Sequence, residues 1–516
     1  MRNKIFKTIR ARRPKRNVFD LSHERKMSMN MGDLVPILCQ EVVPGDTFRN
    51  NSEIFLRMAP MLAPIMHRVN VYTHFFFVPN RLVYNDWEKF ITGGVDGQAL
   101  PSFPVINPSL ISYGFGKGSL ADYLGLPVTP ANADVDISLL PFRAYQLIYN
   151  EYYRDQNLEA EVPINKGSTY TTVDIQAMNL RRRAWEKDYF TSALPWAQRG
   201  GNVLLPIQGT APVTSTYPTL FTQNGGGSGN LNARFVGTGT EGVLSVDPAG
   251  TGNELSIADG VLTADLSQAT STTINELRRS IRLQEWLERN ARAGSRYIEQ
   301  ILSHFGVKSS DARLQRPEFL GGGKSPVVIS EVLQTSSTDE STPQGNMSGH
   351  GVAVGNTHSF KRYFEEHGYI IGIMSVLPRT AYEQGIPRHF LKKDKFDYYW
   401  PSFAHLGEQP IYNSELYVGA SRDQNYGTFG YTPRYAEYKY GLSSVHGDFR
   451  ESLSFWHMGR KFSTLPALNS TFVKSDPTRR IFIVEDPDPQ YDTLYVQIFN
   501  NTRAIRPMPQ YGTPTI

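Results

Sequence analysis

The stretch Gly321-Gly-Gly-Lys-Ser325 holds the residue types of a phosphate-binding loop: glycines that expose backbone amides, a lysine for charge and a hydroxyl for a metal. The spacing denies that chemistry. The pattern needs a glycine five residues before Gly323, where Glu318 stands. A phosphate loop also opens into a helix, whereas Pro326-Val-Val-Ile329 reads as a strand, so the glycines read as a flexible loop entering it. Gly226-Gly-Ser-Gly-Asn230 lacks the closing glycine of a nucleophile elbow, and no His-Glu-x-x-His occurs. The 11 histidines are scattered. His304, His367, His405, His446 and His457 each have an aromatic residue nearby in sequence and read as satisfied core or interface groups. Glu485, Asp486, Asp488 and Asp492 could hold calcium through oxygen ligands, but without a glycine-bearing calcium loop they read as a solvated hairpin turn. No cofactor is implied.

The remaining chemistry is electrostatic. Arg2, Lys4, Lys7, Arg10, Arg12, Arg13, Lys15 and Arg16 crowd the first 16 residues, with no acid among them. The formal net charge is +4, so the other 500 residues carry −4: a mildly acidic body with a cationic arm. Such an arm binds phosphates by charge and counterion release; a solvated tail and a nuclear localisation signal are the other readings. Cys39 is the only cysteine, which excludes an internal disulfide and any cysteine-based zinc or iron–sulfur site. The longest nearly apolar run, Tyr369 to Leu377, is far short of the roughly 20 residues of a membrane span, and no signal peptide is visible.

Positioning falls to a mostly β framework, rich in Gly (43), Pro (33), Phe (28) and Tyr (27). Its organising stretch is His67 to Pro79. Val69, Val71, Thr73, Phe75 and Phe77 alternate with Arg68, Asn70, Tyr72 and His74, and the polar side turns apolar at Phe76 and Val78. Period two predicts a central strand with one face on a core and its far end under a second layer. Residues 1–26 are expected to be the arm, and residues 27–200 the first part of the fold. A strand is expected between Met31 and Phe48, broken near Pro36 and Pro44, then a short helix over Val83–Ile91 stopped by Gly93-Gly94. A long connection over 95–165 includes a helix around Phe142–Tyr153. In residues 201–272, 29 of 72 are Gly, Ser or Thr, lysine is absent and short apolar pairs recur between glycines; this reads as a small β-excursion rather than a disordered loop. Residues 273–516 open with a Thr273–Glu276 capping box and a helix with Leu277, Ile281, Leu283, Trp286 and Leu287 on one face. A second helix runs from Tyr297 to Phe305. Strands follow at Val327–Thr335, Gly351–Val354 and Tyr369–Leu377, with an expected hairpin of Arg480–Glu485 and Thr493–Asn500. Tyr398, Tyr399, Trp400, Tyr431, Tyr435, Tyr438 and Tyr440 are candidates for contacts between subunits, or for internal core.

Longer words carry a family resemblance: Arg282-Leu-Gln-Glu-Trp-Leu-Glu-Arg-Asn-Ala291, Pro343-Gln-Gly-Asn-Met-Ser-Gly-His-Gly351, Tyr431-Thr-Pro-Arg-Tyr-Ala-Glu-Tyr-Lys439 and Phe455-Trp-His-Met-Gly-Arg-Lys-Phe462. From about Val18 to the C-terminus, most weakly over 201–272, the chain resembles the major capsid proteins of microviruses, small tailless single-stranded-DNA phages, in their gokushovirus branch. The resemblance implies an eight-stranded antiparallel jelly roll, a β-sandwich with long inter-strand insertions containing short helices. It implies a T=1 icosahedral shell of sixty copies around a circular single-stranded DNA genome, with 201–272 as a protrusion near the three-fold axis that meets a host surface receptor. Further implied partners are an internal scaffolding protein, a small basic DNA-packaging protein and a pilot protein, with assembly in the host cytoplasm and residence in the virion. It implies no enzymatic activity. The rival readings are a carbohydrate-active β-sandwich, which needs two carboxylates roughly 5 to 10 Å apart, and a receptor-binding module.

Overall fold

The computed structural model describes residues 15–111, 115–130, 132–201, 203, six short strands between 213 and 264, 274–333, 347–483 and 491–511. Two compact units emerge, one formed by 1–199 with 288–516 and the other by 200–287.

The larger unit is built on two antiparallel sheets. Ten strands form them: β1 (Asn17–Asp20), β2 (His23–Met29), β3 (Val35–Val42), β4 (Thr47–Met58), β5 (Val69–Pro79), β6 (Glu318–Pro326), β7 (Val328–Leu333), β8 (Met347–Tyr363), β9 (Gly368–Pro378) and β10 (Leu494–Arg506). One sheet runs β1-β10-β4-β8-β7, with β2 also on β10; the other runs β6-β5-β9-β3. Strand β5 therefore lies inside its sheet, flanked by β6 and β9. Pro36 sits in β3, an edge strand, at a register shift, where a missing N–H costs no ladder bond.

The alternation in β5 sorts the core. Val69, Val71, Phe75 and Phe77 join Phe48, Ile54 and Leu56 of β4 and Val496 and Ile498 of β10 between the sheets. Phe76 and Val78 face the other way, into a helical layer. That layer is α1 (Leu120–Leu124) and α2 (Leu140–Ile148), the latter continued by a π turn over Tyr149–Tyr153. Leu140, Phe142, Tyr145 and Ile148 bury against β5 and β9, and the Tyr145 hydroxyl donates to the Leu34 carbonyl at 2.8 Å. Full burial of each such side chain contributes roughly 1.5–3 kcal/mol. One salt bridge locks the layer. Arg143 and Asp174 meet at 2.9 Å with both side chains fully buried, and Asp174 also accepts from the Asn165 side chain and the Thr171 amide.

In the second unit, Val213–Ser215 pairs with Leu262–Ala264, Phe221–Gln223 with Leu255–Ile257, and Arg234–Val236 with Val243–Ser245. These nested antiparallel pairs are the β-excursion expected from the glycine-spaced apolar pairs. Helix α3 (Ile274–Ala293) begins in this unit and ends in the larger one, to which α4 (Tyr297–Phe305), closed by left-handed Gly306, belongs; Thr273 of the expected capping box lies outside the described residues. Leu277, Ile281, Leu283 and Trp286 are exposed.

Three expectations need correction. Residues 17–20 and 23–29, assigned in part to the arm, are strands. The described part of the expected strand Arg480–Glu485, residues 480–483, forms no ladder with 493–500: β10 has β4 on one side and β1 with β2 on the other, so no edge is left. Within it, Phe482 makes only an isolated bridge to Met61. Gly321–Ser325 is not a flexible loop but part of β6.

Candidate functional site

The would-be phosphate loop is core structure. A Cβ on Gly322 would lie 2.3 Å from the Thr73 carbonyl oxygen, and one on Gly323 2.3 Å from Nδ1 of His358. Glycine is required because neighbours approach this closely. His358 is fully buried, with Thr73 Oγ1 at 2.5 Å from one ring nitrogen and Ser325 Oγ at 2.9 Å from the other. Lys324 turns to Glu186 at 3.1 Å. The lysine and the hydroxyl of the motif are thus both engaged, and neither is offered to a phosphate. Of the histidines singled out in the sequence, His304 meets Asn290 Oδ1, His446 meets Ser444 and His457 meets the Phe449 carbonyl; His367 packs on Trp87.

A groove of about 1320 Å³ opens beside β5, lined by aromatic, basic and acidic residues. Its carboxylates are tied. Asp155 holds Lys187 at 2.5 Å and accepts from the amides of Asn157 and Leu158. Glu186 accepts from Tyr72 and Lys324, and Asp188 from Thr380 and Tyr382. Burial works to raise the Asp155 and Glu186 pKa values, but these partners outweigh it and hold both carboxyls below their usual range. A general acid for glycoside cleavage needs a raised pKa, the opposite shift.

The aromatic candidates divide. Tyr398, Tyr399, Trp400, Tyr438 and Tyr440 are exposed, Tyr431 is half-buried, and Tyr435 is 3% exposed. Tyr435 is the hub: its ring meets Tyr399 at 5.0 Å and Tyr438 at 6.1 Å, and the Trp400 amide donates to its hydroxyl at 3.3 Å. Lys392 lies 4.0 Å from the Tyr438 ring centre and pairs with Glu437 at 3.2 Å. Tyr431 exchanges backbone bonds with Leu194. Tyr435 is therefore interior, and it fixes a platform whose outer members remain available for contact.

Of the arm, Arg2, Lys4, Lys7, Arg10, Arg12 and Arg13 lie outside the described residues. Lys15 and Arg16 are exposed; Arg16 donates to the Gly45 carbonyl and lies over the Tyr363 ring at 5.3 Å. Of the acidic turn, Glu485, Asp486 and Asp488 lie outside as well, and Asp492 accepts from Ser28 and Asn30. No cluster of potential metal ligands occurs among the described residues, and no described helix is long and apolar enough to cross a membrane. Sequence reasoning missed the Arg143–Asp174 pair. The signal was there: Asp174 stands three after Thr171, the spacing of a capping box, which the structure forms.

Comparison with known proteins gives a match to the family of capsid protein (F protein) over residues 7–516. The capsid protein VP1 of Bdellovibrio phage phiMH2K is 39% identical over 97% of this chain and 95% of its own. That of Chlamydia phage 1 is 37% identical and that of Spiroplasma virus 4 is 36% identical, each with the same coverage.

Proposed function

The chain belongs to the phage capsid protein (F protein) family, in the company of gokushovirus capsid proteins, and from that premise we propose that sixty copies close into a T=1 icosahedral shell around a circular single-stranded DNA genome. It is a structural protein of the virion capsid, made to assemble with copies of itself. The observation that carries the reading is the family match from residue 7 to the C-terminus on a chain whose frame is two packed antiparallel sheets.

We read the frame as a jelly roll, a reading supported by a count of its extended segments. Strands β1 and β2 are one segment interrupted within a sheet, and β6 and β7 are one segment that changes sheet at Val327. The ten strands then make eight. The arm, ending at Arg16, contacts the genome together with a small basic packaging protein. The exposed members of the aromatic platform bury against neighbouring subunits, where interfaces of roughly 2,000 Å² or more are core-like. Residues 201–272 form a protrusion near the three-fold axis that meets a host receptor. Assembly proceeds in the host cytoplasm with an internal scaffolding protein and a pilot protein.

Sedimentation of the chain co-expressed with its scaffolding partner tests this. A closed particle much larger than the 58.1 kDa chain is expected; monomers alone under all conditions contradict it.

A further inference from the structure

The two sheets differ in what covers them. The four-stranded sheet is buried under helices on its outer side, whereas the outer side of the six-stranded sheet carries exposed residues at alternate positions of β4 and β10. On that bare face the strand registers set three cations side by side. Arg49 of β4 stands opposite Lys361 of β8 on one flank and opposite Arg503 of β10 on the other. All three are exposed, and the residues before them, Phe48, Phe360 and Thr502, point into the core.

Like charges directly opposite on neighbouring strands oppose pairing, and solvated surface charges have no need to line up. Nearby arginines are neutralised: Arg362 by Glu318 at 3.0 Å and Arg506 by Asp46 at 3.2 Å. Arg49, Lys361 and Arg503 have no ion-pair partner among the described residues. Asp20 stands opposite Arg503 and feels its charge, but it makes no ion pair with it, and its Oδ1 accepts from the Ser22 amide and hydroxyl. Lys361 shares a shallow cavity with Glu318, Glu365 and Glu366 at the strand end, without an ion pair to any of them; in the other direction along β4 and β10 the next acids, Glu53 and Glu24, flank Phe499, four residues and roughly 14 Å away. Between lies an uncharged row of Ser359, Asn51 and Asn501. The basic arm reaches this face directly: Arg16 lies over Tyr363, two residues beyond Lys361 on the same strand and side.

We infer that the row Lys361–Arg49–Arg503 is a phosphate-binding track that continues the arm across the bare sheet and takes the backbone of single-stranded nucleic acid. Charge complementarity and continuity with the arm select this occupant over an acidic segment of a second copy. The inference rests on the proposed reading for the source of the phosphates.

The test is the full-length triple variant Arg49→Gln, Lys361→Gln, Arg503→Gln, titrated with an oligothymidylate over a range of salt, beside the parent, a 1–16 deletion and Arg49→Lys. Each lost phosphate contact removes about 0.7 from the salt slope, so the triple variant's slope is expected to be shallower by about 2, with affinity at low salt weaker by at least roughly tenfold. Its melting temperature stays level or rises, because repulsion is relieved, and Arg49→Lys binds nearly as the parent does. Unchanged affinity and slope in the triple variant, with the arm deletion still weakening binding, overturns the track and leaves the capsid reading intact. Unchanged DNA binding with loss of particle formation makes the row a contact between copies and overturns it too. A parent chain that forms no particles and binds no oligonucleotide fails the underlying reading instead.

Discussion

Individual side chains in this protein are mostly committed to one another, and the sharpest tests at this scale are of buried charge. Arg143 is fully enclosed, and besides Asp174 its hydrogen bonds among the described residues go to the carbonyls of Val83 and Gly167. Removing the carboxylate strands a charge in the core, which typically costs 3–5 kcal/mol. Asp174→Ala is therefore expected to lower stability by about that amount in denaturant melts, while Asp174→Asn, which keeps an acceptor, costs less. His74 offers a second test. Burial, with Arg183 and His358 adding repulsion, lowers its pKa from 6.5 to about 4. The unfolded chain takes up this proton first, so stability falls as pH drops from about 6.5 toward 4 and levels below that. His74→Gln is expected to make the acid limb of a stability–pH profile shallower in that window; an unchanged limb would show that His74 titrates normally. None of this pairing was legible in sequence beyond the Thr171–Asp174 spacing, because partners such as Arg143 and Asp174 are 31 residues apart and only the fold brings them together.

At the scale of elements, β5 was the most legible. Its alternation from Val69 and its turn to apolar on both sides at Phe76 were written in side-chain type, and both faces found the layers the pattern demanded. Phe75 is fully buried between the sheets and 5.1 Å from the Phe360 ring. Phe75→Ala is expected to cost about 3–5 kcal/mol of unfolding free energy. Arg480–Glu485 was misread because Ile481 and Phe482 look like strand residues; they are buried without a ladder. Local pattern reports burial, while pairing depends on which sheet edges the rest of the chain leaves open. The glycines of β6 misled for a related reason, since what crowds them lies far along the chain: Ser359 at Gly321, Thr73 at Gly322 and His358 at Gly323. The excursion gives the second element-scale prediction. Its described strands pair only with one another, so replacing residues 205–270 with a short Gly-Ser linker takes no ladder bond from either sheet. The shortened chain is expected to fold and assemble while losing host attachment; failure to fold would place the segment in the core.

For the whole molecule, sequence words identified the family, and the sandwich explains why little else in the sequence pointed to chemistry. A shell protein needs a rigid frame, faces for its neighbours and charge for its cargo, and the residues given to those tasks are hydrophobic, aromatic and cationic rather than poised acids, bases or nucleophiles. Deleting residues 1–16 removes eight cations, and single-stranded DNA binding should become weaker and markedly less salt-dependent; an unchanged salt slope would exclude the arm as the contact. The central claim is assembly. The most direct measurement is an electron cryomicroscopy reconstruction of particles purified from cells expressing this chain with its phage partners. The account predicts a closed shell of sixty equivalent copies, each with the β5 and β4 sheets stacked in its wall. Particles of other symmetry, or a chain that remains monomeric beside a fully assembled shell of different composition, would contradict it.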